Sequence, residues 1–228
     1  MTLLALETAT TEAAAAVIQD GKVTATARVG PTRRHTEVLF GLITEVLEAS
    51  NCQLREVSVL ACDVGPGLFT GLRVGVSTAQ GLGLALGISV ASVTSLEALA
   101  ASCVVDGPRT ALIDARRGEV FLQHFTGPAL APVATCIPMV VAPEDFGAHL
   151  TAESVVLGDG AHRYADLLRD VHGITPLDAP VQPPVEAIGL LGWAAAMAGQ
   201  AHSVETLRPV YLRDADATSN FTLRESLR

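Results

Sequence analysis

The hydrophobic pattern of this chain changes period several times, and each change marks an element. Leu3 to Thr8, Ala13 to Ile18 and Lys22 to Val29 are apolar or alternating runs of strand length. Asp20-Gly21 between the last two is a hairpin signal, because the turn that matches strand twist requires positive φ. From Thr32 the spacing becomes helical. Val38, Leu39, Leu42, Ile43, Val46 and Leu47 recur on one face to about Ala49, with Glu37, Glu45 and Glu48 off that stripe. Val57 to Val64 then reads as a strand covered on both faces, stopped by Gly65-Pro66-Gly67. A helix over about 70–86, a strand over 89–94 and a helix from Ser95 to about Cys103 follow.

Three antiparallel strands followed by alternating helices and strands are the plan of a ribonuclease H-like lobe. Near Asp106-Gly107-Pro108 the plan restarts, with Arg109 to Ala115 and Glu119 to Thr126 paired across Arg116-Arg117-Gly118. The expected class is therefore α/β, with two such lobes of mixed sheet flanked by helices. The division falls at 1–104 and 105–228, with a C-terminal helix or tail able to return to the first lobe. Residues 127–153 read as irregular, Ser154 to Leu157 as a strand, Ala161 to Val171 and Val185 to Gly199 as helices.

Within the helix at 70–86 small residues fall at Gly71, Gly75, Ala79 and Gly83, with Gly87 one turn beyond, a ridge with almost no side chains. A glycine inside a helix loses roughly 1 kcal/mol to alanine, so several in one helix imply a close packing partner. A phosphate-cradling turn is the competing reading. No Lys-Ser/Thr follows the glycines, and Gly-x-Gly-x-x-Gly is absent. The ridge, with Val38, Leu39 and Leu42 of the preceding helix, is taken as the partner-binding surface.

Composition narrows the classes. The 228 residues are 49% hydrophobic and 17% charged, yet no run of eighteen apolar residues occurs, which argues against a membrane span. No basic leader or small-residue cleavage site is visible, so a cytoplasmic protein is expected. Cys52, Cys62, Cys103 and Cys136 are far apart and are read as free thiols. A net charge of −9 repels polyanions, which argues against this chain as the main nucleic-acid binder. Arg33-Arg34-His35 and Arg116-Arg117 are local basic exceptions, more simply read as solvated surface.

Four motifs carry a resemblance. Ala5-Leu6-Glu7-Thr8-Ala9-Thr10, then Gly65-Pro66-Gly67-x-Phe69-Thr70-Gly71-Leu72-Arg73-Val74-Gly75, then Ile113-Asp114-Ala115-Arg116-Arg117-Gly118-Glu119-Val120, and finally Pro209-Val210-Tyr211-Leu212-Arg213 are similar to the TsaB (YeaZ) family, in order and over nearly the whole chain. The resemblance implies a superfamily fold of the actin and sugar-kinase type. It implies a non-catalytic partner subunit in the bacterial machinery that places a threonylcarbamoyl group on the adenosine following the anticodon in tRNAs reading codons that begin with A. Its implied partners are the catalytic paralogue TsaD, the ATPase subunit TsaE, tRNA through the complex, and a second copy when isolated. ATP and a metal ion are expected in the partner subunits, and no cofactor or metal in this chain. In the family the two helices at about 32–49 and 70–86 make the dimer contact.

The departures from an active site are physical. The paralogue carries His-x-x-x-His where this chain has Ser95 and Leu99, and serine and leucine cannot share a metal across one helical face. The first turn, Glu7-Thr8-Ala9-Thr10-Thr11, lacks the glycine of an Asp-x-Gly phosphate loop, so Glu7, Thr8, Thr10 and Thr11 form at most a degenerate nucleotide loop. Gly158-Asp159-Gly160 is read as a helix-entry turn. Two other classes compete: a glycoprotease-like peptidase using Ser95 or Ser77 with His35 and Asp114, and a small-molecule kinase of the same superfold. No Gly-x-Ser-x-Gly elbow supports the first, and the incomplete loop weakens the second.

Overall fold

A computed structural model of the chain describes residues 1–30, 34–151, 153 and 155–213. Its first sheet has the order β3-β2-β1-β4-β5, built from β1 (Thr2–Glu7), β2 (Ala13–Gln19), β3 (Lys22–Val29), β4 (Val59–Asp63) and β5 (Ser89–Val93). β1, β2 and β3 form an antiparallel meander, and β4 and β5 add in parallel through helical crossovers. Both faces are covered, which explains why β1 and β4 are apolar without alternation. Leu4, Leu6, Leu60 and Cys62 face α1 (His35–Ala49) and α2 (Phe69–Leu86). Leu3, Ala5, Val59 and Ala61 face α3 (Ser95–Ala101) and α7 (Val185–Met197). The helix predicted from Thr32 begins at His35, because Arg34 is extended at φ −74° and ψ 134°; Thr32 and Arg33 lie outside the described residues.

The second sheet has the order β10-β6-β7-β8, with β9 also on β7. Its members are β6 (Arg109–Arg116), β7 (Glu119–Thr126), β8 (Val133–Ala134), β9 (Met139–Val141) and β10 (Val155–Leu157). The stretch expected to be irregular therefore holds two short strands and the single turn α4 (Phe146–His149); Val133, Met139 and Val140 are too few per segment to show a period. The helix predicted over 161–171 is two pieces, α5 (Asp159–Arg163) and α6 (Ala165–His172). Tyr164, at φ −109° and ψ 25°, leaves helical geometry between them. Ser154 lies outside the described residues.

α3 is shared: Ala98 and Ala101 pack on the first sheet, while Leu96, Leu99 and Ala100 pack on Ile113, Phe121 and Phe125 of the second. Beside it Arg109 is 1% exposed and donates to the carbonyls of Ala100, Gly107, Gly127, Pro128 and Ala129 at 2.6–3.3 Å. Beyond α7, residues 201–210 return along the first lobe. Val90 and His202 exchange backbone hydrogen bonds at 2.9 Å, and Val210 donates to the Val64 carbonyl at 2.7 Å. No described helix is long and apolar enough to cross a membrane.

Candidate functional site

The carboxyl ends of β1 and β4 lie side by side, with Leu6 in register with Cys62, so Glu7 and Asp63 are neighbours. Glu7 is buried, and its Oε1 accepts hydrogen bonds from the backbone N–H groups of Ala9 at 2.7 Å and Thr10 at 3.1 Å; Oε2 accepts from the Thr10 hydroxyl at 3.3 Å. Those N–H groups are the ones an anion would need in this turn. The chain's own carboxyl takes them. Thr8 donates its hydroxyl to the Gly71 carbonyl at 2.8 Å, and Thr11 accepts from Gln182 at 3.3 Å. Of the four loop residues named from the sequence, Glu7 and Thr10 hold the turn, Thr8 ties it to α2, and Thr11 bonds the Pro-rich segment before α7.

Asp63 is fully buried. Its Oδ1 accepts from Gly65 N–H at 2.8 Å and the Ser95 hydroxyl at 2.7 Å, while Oδ2 has no partner among the described residues. Burial pushes Asp63 up to about 7, partly opposed by these two donors. Burial, then the adjacent Asp63 carboxyl, holds Glu7 well above the usual carboxylate range. No Lys, Arg or His pairs with either among the described residues. Two buried carboxyls without a counter-ion retain protons rather than both ionise.

Ser95, at one of the paralogue's histidine positions, is closed into this network, and Leu99, at the other, is a core residue of the second lobe. Among the described residues no three His, Cys, Asp or Glu side chains converge as a metal site. The groups weighed for a peptidase are engaged separately: His35 Nε2 bonds the Glu12 carbonyl at 3.0 Å, Ser77 is exposed on α2, and Asp114 pairs with Arg116 and Arg163 at 3.2 and 3.0 Å. Asp159 accepts from the Asp114 N–H at 2.8 Å, so Gly158-Asp159-Gly160 is a packing turn against β6.

The two helices named as the association surface are adjacent, but the residues named on them face inward. A Cβ at Gly71 would strike the Thr8 carbonyl, one at Gly75 the Thr8 hydroxyl, and one at Gly83 the side chain of Val204; Ala79 is fully buried. The ridge is what lets α2 lie against β1 and the returning C-terminal segment. Val38, Leu39 and Leu42 are at most 9% exposed and belong to the first lobe's core with Ile43, Val46 and Leu47. This corrects the assignment at residue level: a small-residue ridge and an apolar stripe record close packing, and here the packing partner is the chain's own sheet.

The outward face of the same helices carries other residues. Phe40 is 61% exposed, Phe69 39% and Leu84 62%. A groove of about 470 Å³ runs between α1 and α2, lined by Thr36, Phe40, Phe69, Arg73 and Ser77. Phe40 and Phe69 share the groove between the two helices, whereas Leu84 lines a second groove on the far side of α2. Both aromatics stand off the inward stripe in the sequence.

Fold and site together define a two-lobed α/β protein of the actin and sugar-kinase type whose first turn is filled by its own carboxyl. The family model described as TsaD, tRNA N6-adenosine threonylcarbamoyltransferase, matches residues 28–129. The chain is 32% identical over 225 residues to the tRNA threonylcarbamoyladenosine biosynthesis protein TsaB of Escherichia coli, covering 94% of this chain and 95% of that one. It is 27% identical to TsaB of Bacillus subtilis, over 97% of this chain and 98% of that one. The solved structure of YeaZ from Pseudomonas aeruginosa superposes with a TM-score of 0.81 at 27% identity, covering 92% of this chain and 99% of that one. The chain belongs to the TsaB (YeaZ) family.

Proposed function

We propose that this chain is the non-catalytic subunit that binds and activates a TsaD-type paralogue for threonylcarbamoyl transfer to tRNA, in the cytoplasm. The observation that carries the reading is the self-capped first turn: Glu7 accepts the N–H groups of Ala9 and Thr10, which leaves no anion cradle there. The replacement of the paralogue's histidines by Ser95, bonded to Asp63, and by buried Leu99 supports it. The exposed face of α1 and α2, with Phe40 and Phe69, is the association surface, used with the paralogue and for self-pairing when the chain is alone. TsaE and tRNA join through that complex.

Reconstituted transfer with purified subunits, tRNA and a supplied activated threonylcarbamoyl donor tests this. The chain alone gives no modified tRNA, the paralogue with TsaE gives little, and all three restore modification. Transfer by the chain without a catalytic paralogue would overturn the reading. The net charge of −9 further predicts that the chain alone shifts tRNA only weakly in a gel titration at fixed moderate salt.

A further inference from the structure

The Pro209-Val210-Tyr211-Leu212-Arg213 run belongs to neither sheet, yet each end of it is fixed. Val210 is bonded to Val64, and Leu212 packs on the core of the second lobe. Arg213 donates to the Ala115 carbonyl at 3.0 Å and pairs with Glu119. Between these anchors Tyr211 is laid along the outer side of α2. Its ring meets Phe69 with centroids 5.1 Å apart, and its hydroxyl accepts from Arg73 Nε at 3.2 Å. The guanidinium carbon of Arg73 stands 3.8 Å from the Phe69 ring centroid. Arg73 is therefore held by a ring face and a hydroxyl, while its two Nη groups have no hydrogen-bond or ion-pair partner among the described residues.

Arg73 is the one charged residue in α2, and it is exposed. It lines both the groove between the two helices and a second one, of about 630 Å³, between α2 and residues 204–211. α1 beside it is of opposite sign, with Glu37, Glu45 and Glu48 exposed; the basic groups at its start are His35 and the preceding Arg34, which pairs with Glu37 at 3.9 Å. A polyanion laid over both helices would meet the carboxylates of Glu45 and Glu48 besides Arg73. A helix carrying one acidic side chain opposite α2 would meet a planar fork already oriented, with its rotamer freedom already reduced.

We propose that Phe69, Arg73 and Tyr211 form a preformed receptor for a carboxylate on the helix that the catalytic paralogue lays along α1 and α2. This rests on the reading of that face as the association surface. Arg and Tyr are among the residue types enriched where single side chains dominate an interface.

The test is the affinity of the full chain for the purified paralogue, by calorimetry at about 0.05 and about 0.5 M salt. Arg73→Gln should weaken association on the order of tenfold and remove most of its salt dependence. Arg73→Lys should recover only part, because an ammonium has no fork, and Tyr211→Phe should weaken binding by releasing the guanidinium. Melting temperatures of these surface variants should stay near that of the parent chain. Arg73→Gln binding within about twofold of the parent overturns the receptor. If Phe40→Asp abolishes binding in that case, the association face still stands; if neither substitution matters, the face falls and the receptor with it. Unchanged subunit affinity with weaker tRNA binding by the Arg73→Gln complex would make the anion a phosphate and likewise overturn the proposal.

Discussion

Thr8, directly after β1, and Gly75 in α2 touch so closely that a Cβ at Gly75 would run into the Thr8 hydroxyl, whose hydrogen is given to the Gly71 carbonyl at 2.8 Å. Strand and helix are thus joined by a contact that only glycine permits. Gly75→Ala should cost about 1–3 kcal/mol, since neither the strand nor the hydroxyl can retreat. Gly81→Ala, in the same helix but with open space at its Cβ, should be neutral or stabilise by up to about 1 kcal/mol. Urea unfolding of the two variants checks this, and a Gly75→Ala chain of unaltered stability would mean that α2 lies farther from β1.

The buried Glu7 and Asp63 pair makes stability depend on pH. Unfolded, both carboxyls ionise near pH 4; folded, Asp63 holds its proton to about 7 and Glu7 well above its usual range. Between those values the unfolded chain binds fewer protons, so stability is full below about pH 4 and falls as pH rises toward about 7. The loss should reach a few kcal/mol. Asp63→Asn keeps an oxygen for Gly65 and Ser95 but removes one titrating group, so its denaturation midpoint should vary much less from pH 4 to 8. A parent profile that is flat or rises over that window would contradict the pairing.

Arg109 satisfies five carbonyls at the junction of α3 with the second sheet. Arg109→Ala would leave buried carbonyls without donors and should destabilise by roughly 3–5 kcal/mol, whereas Arg109→Lys, which reaches fewer of them, should lose about half as much. Denaturant midpoints at unchanged slope are the measurement. A small loss for the alanine variant would show that these five carbonyls have other donors.

Much of the fold was legible because local signals agreed. Asp20-Gly21 marked the hairpin between β2 and β3, the six-residue stripe of α1 marked the helix, and doubly covered β4 showed as an unbroken apolar run. What was not legible was direction. Gly71, Gly75, Ala79 and Gly83 make the same ridge whether α2 meets another protein or its own β1, and only the position of Thr8 decides it. The short strands at Val133 and Met139 and the break at Tyr164 were hidden for another reason, being fixed by pairing and packing from a distance. The self-capping of the first turn was half visible: its lack of glycine could be read, but that Glu7 would turn back onto Ala9 and Thr10 could not.

The outward face of α1 and α2 carries the account, and Phe40, 61% exposed with no role in the core, probes it without disturbing the fold. The decisive measurement is sedimentation of Phe40→Asp with the catalytic paralogue, alongside its melting temperature. The variant should melt like the parent and sediment alone, neither pairing with itself nor joining the paralogue. A Phe40→Asp chain that still sediments with the paralogue as the parent does would contradict it.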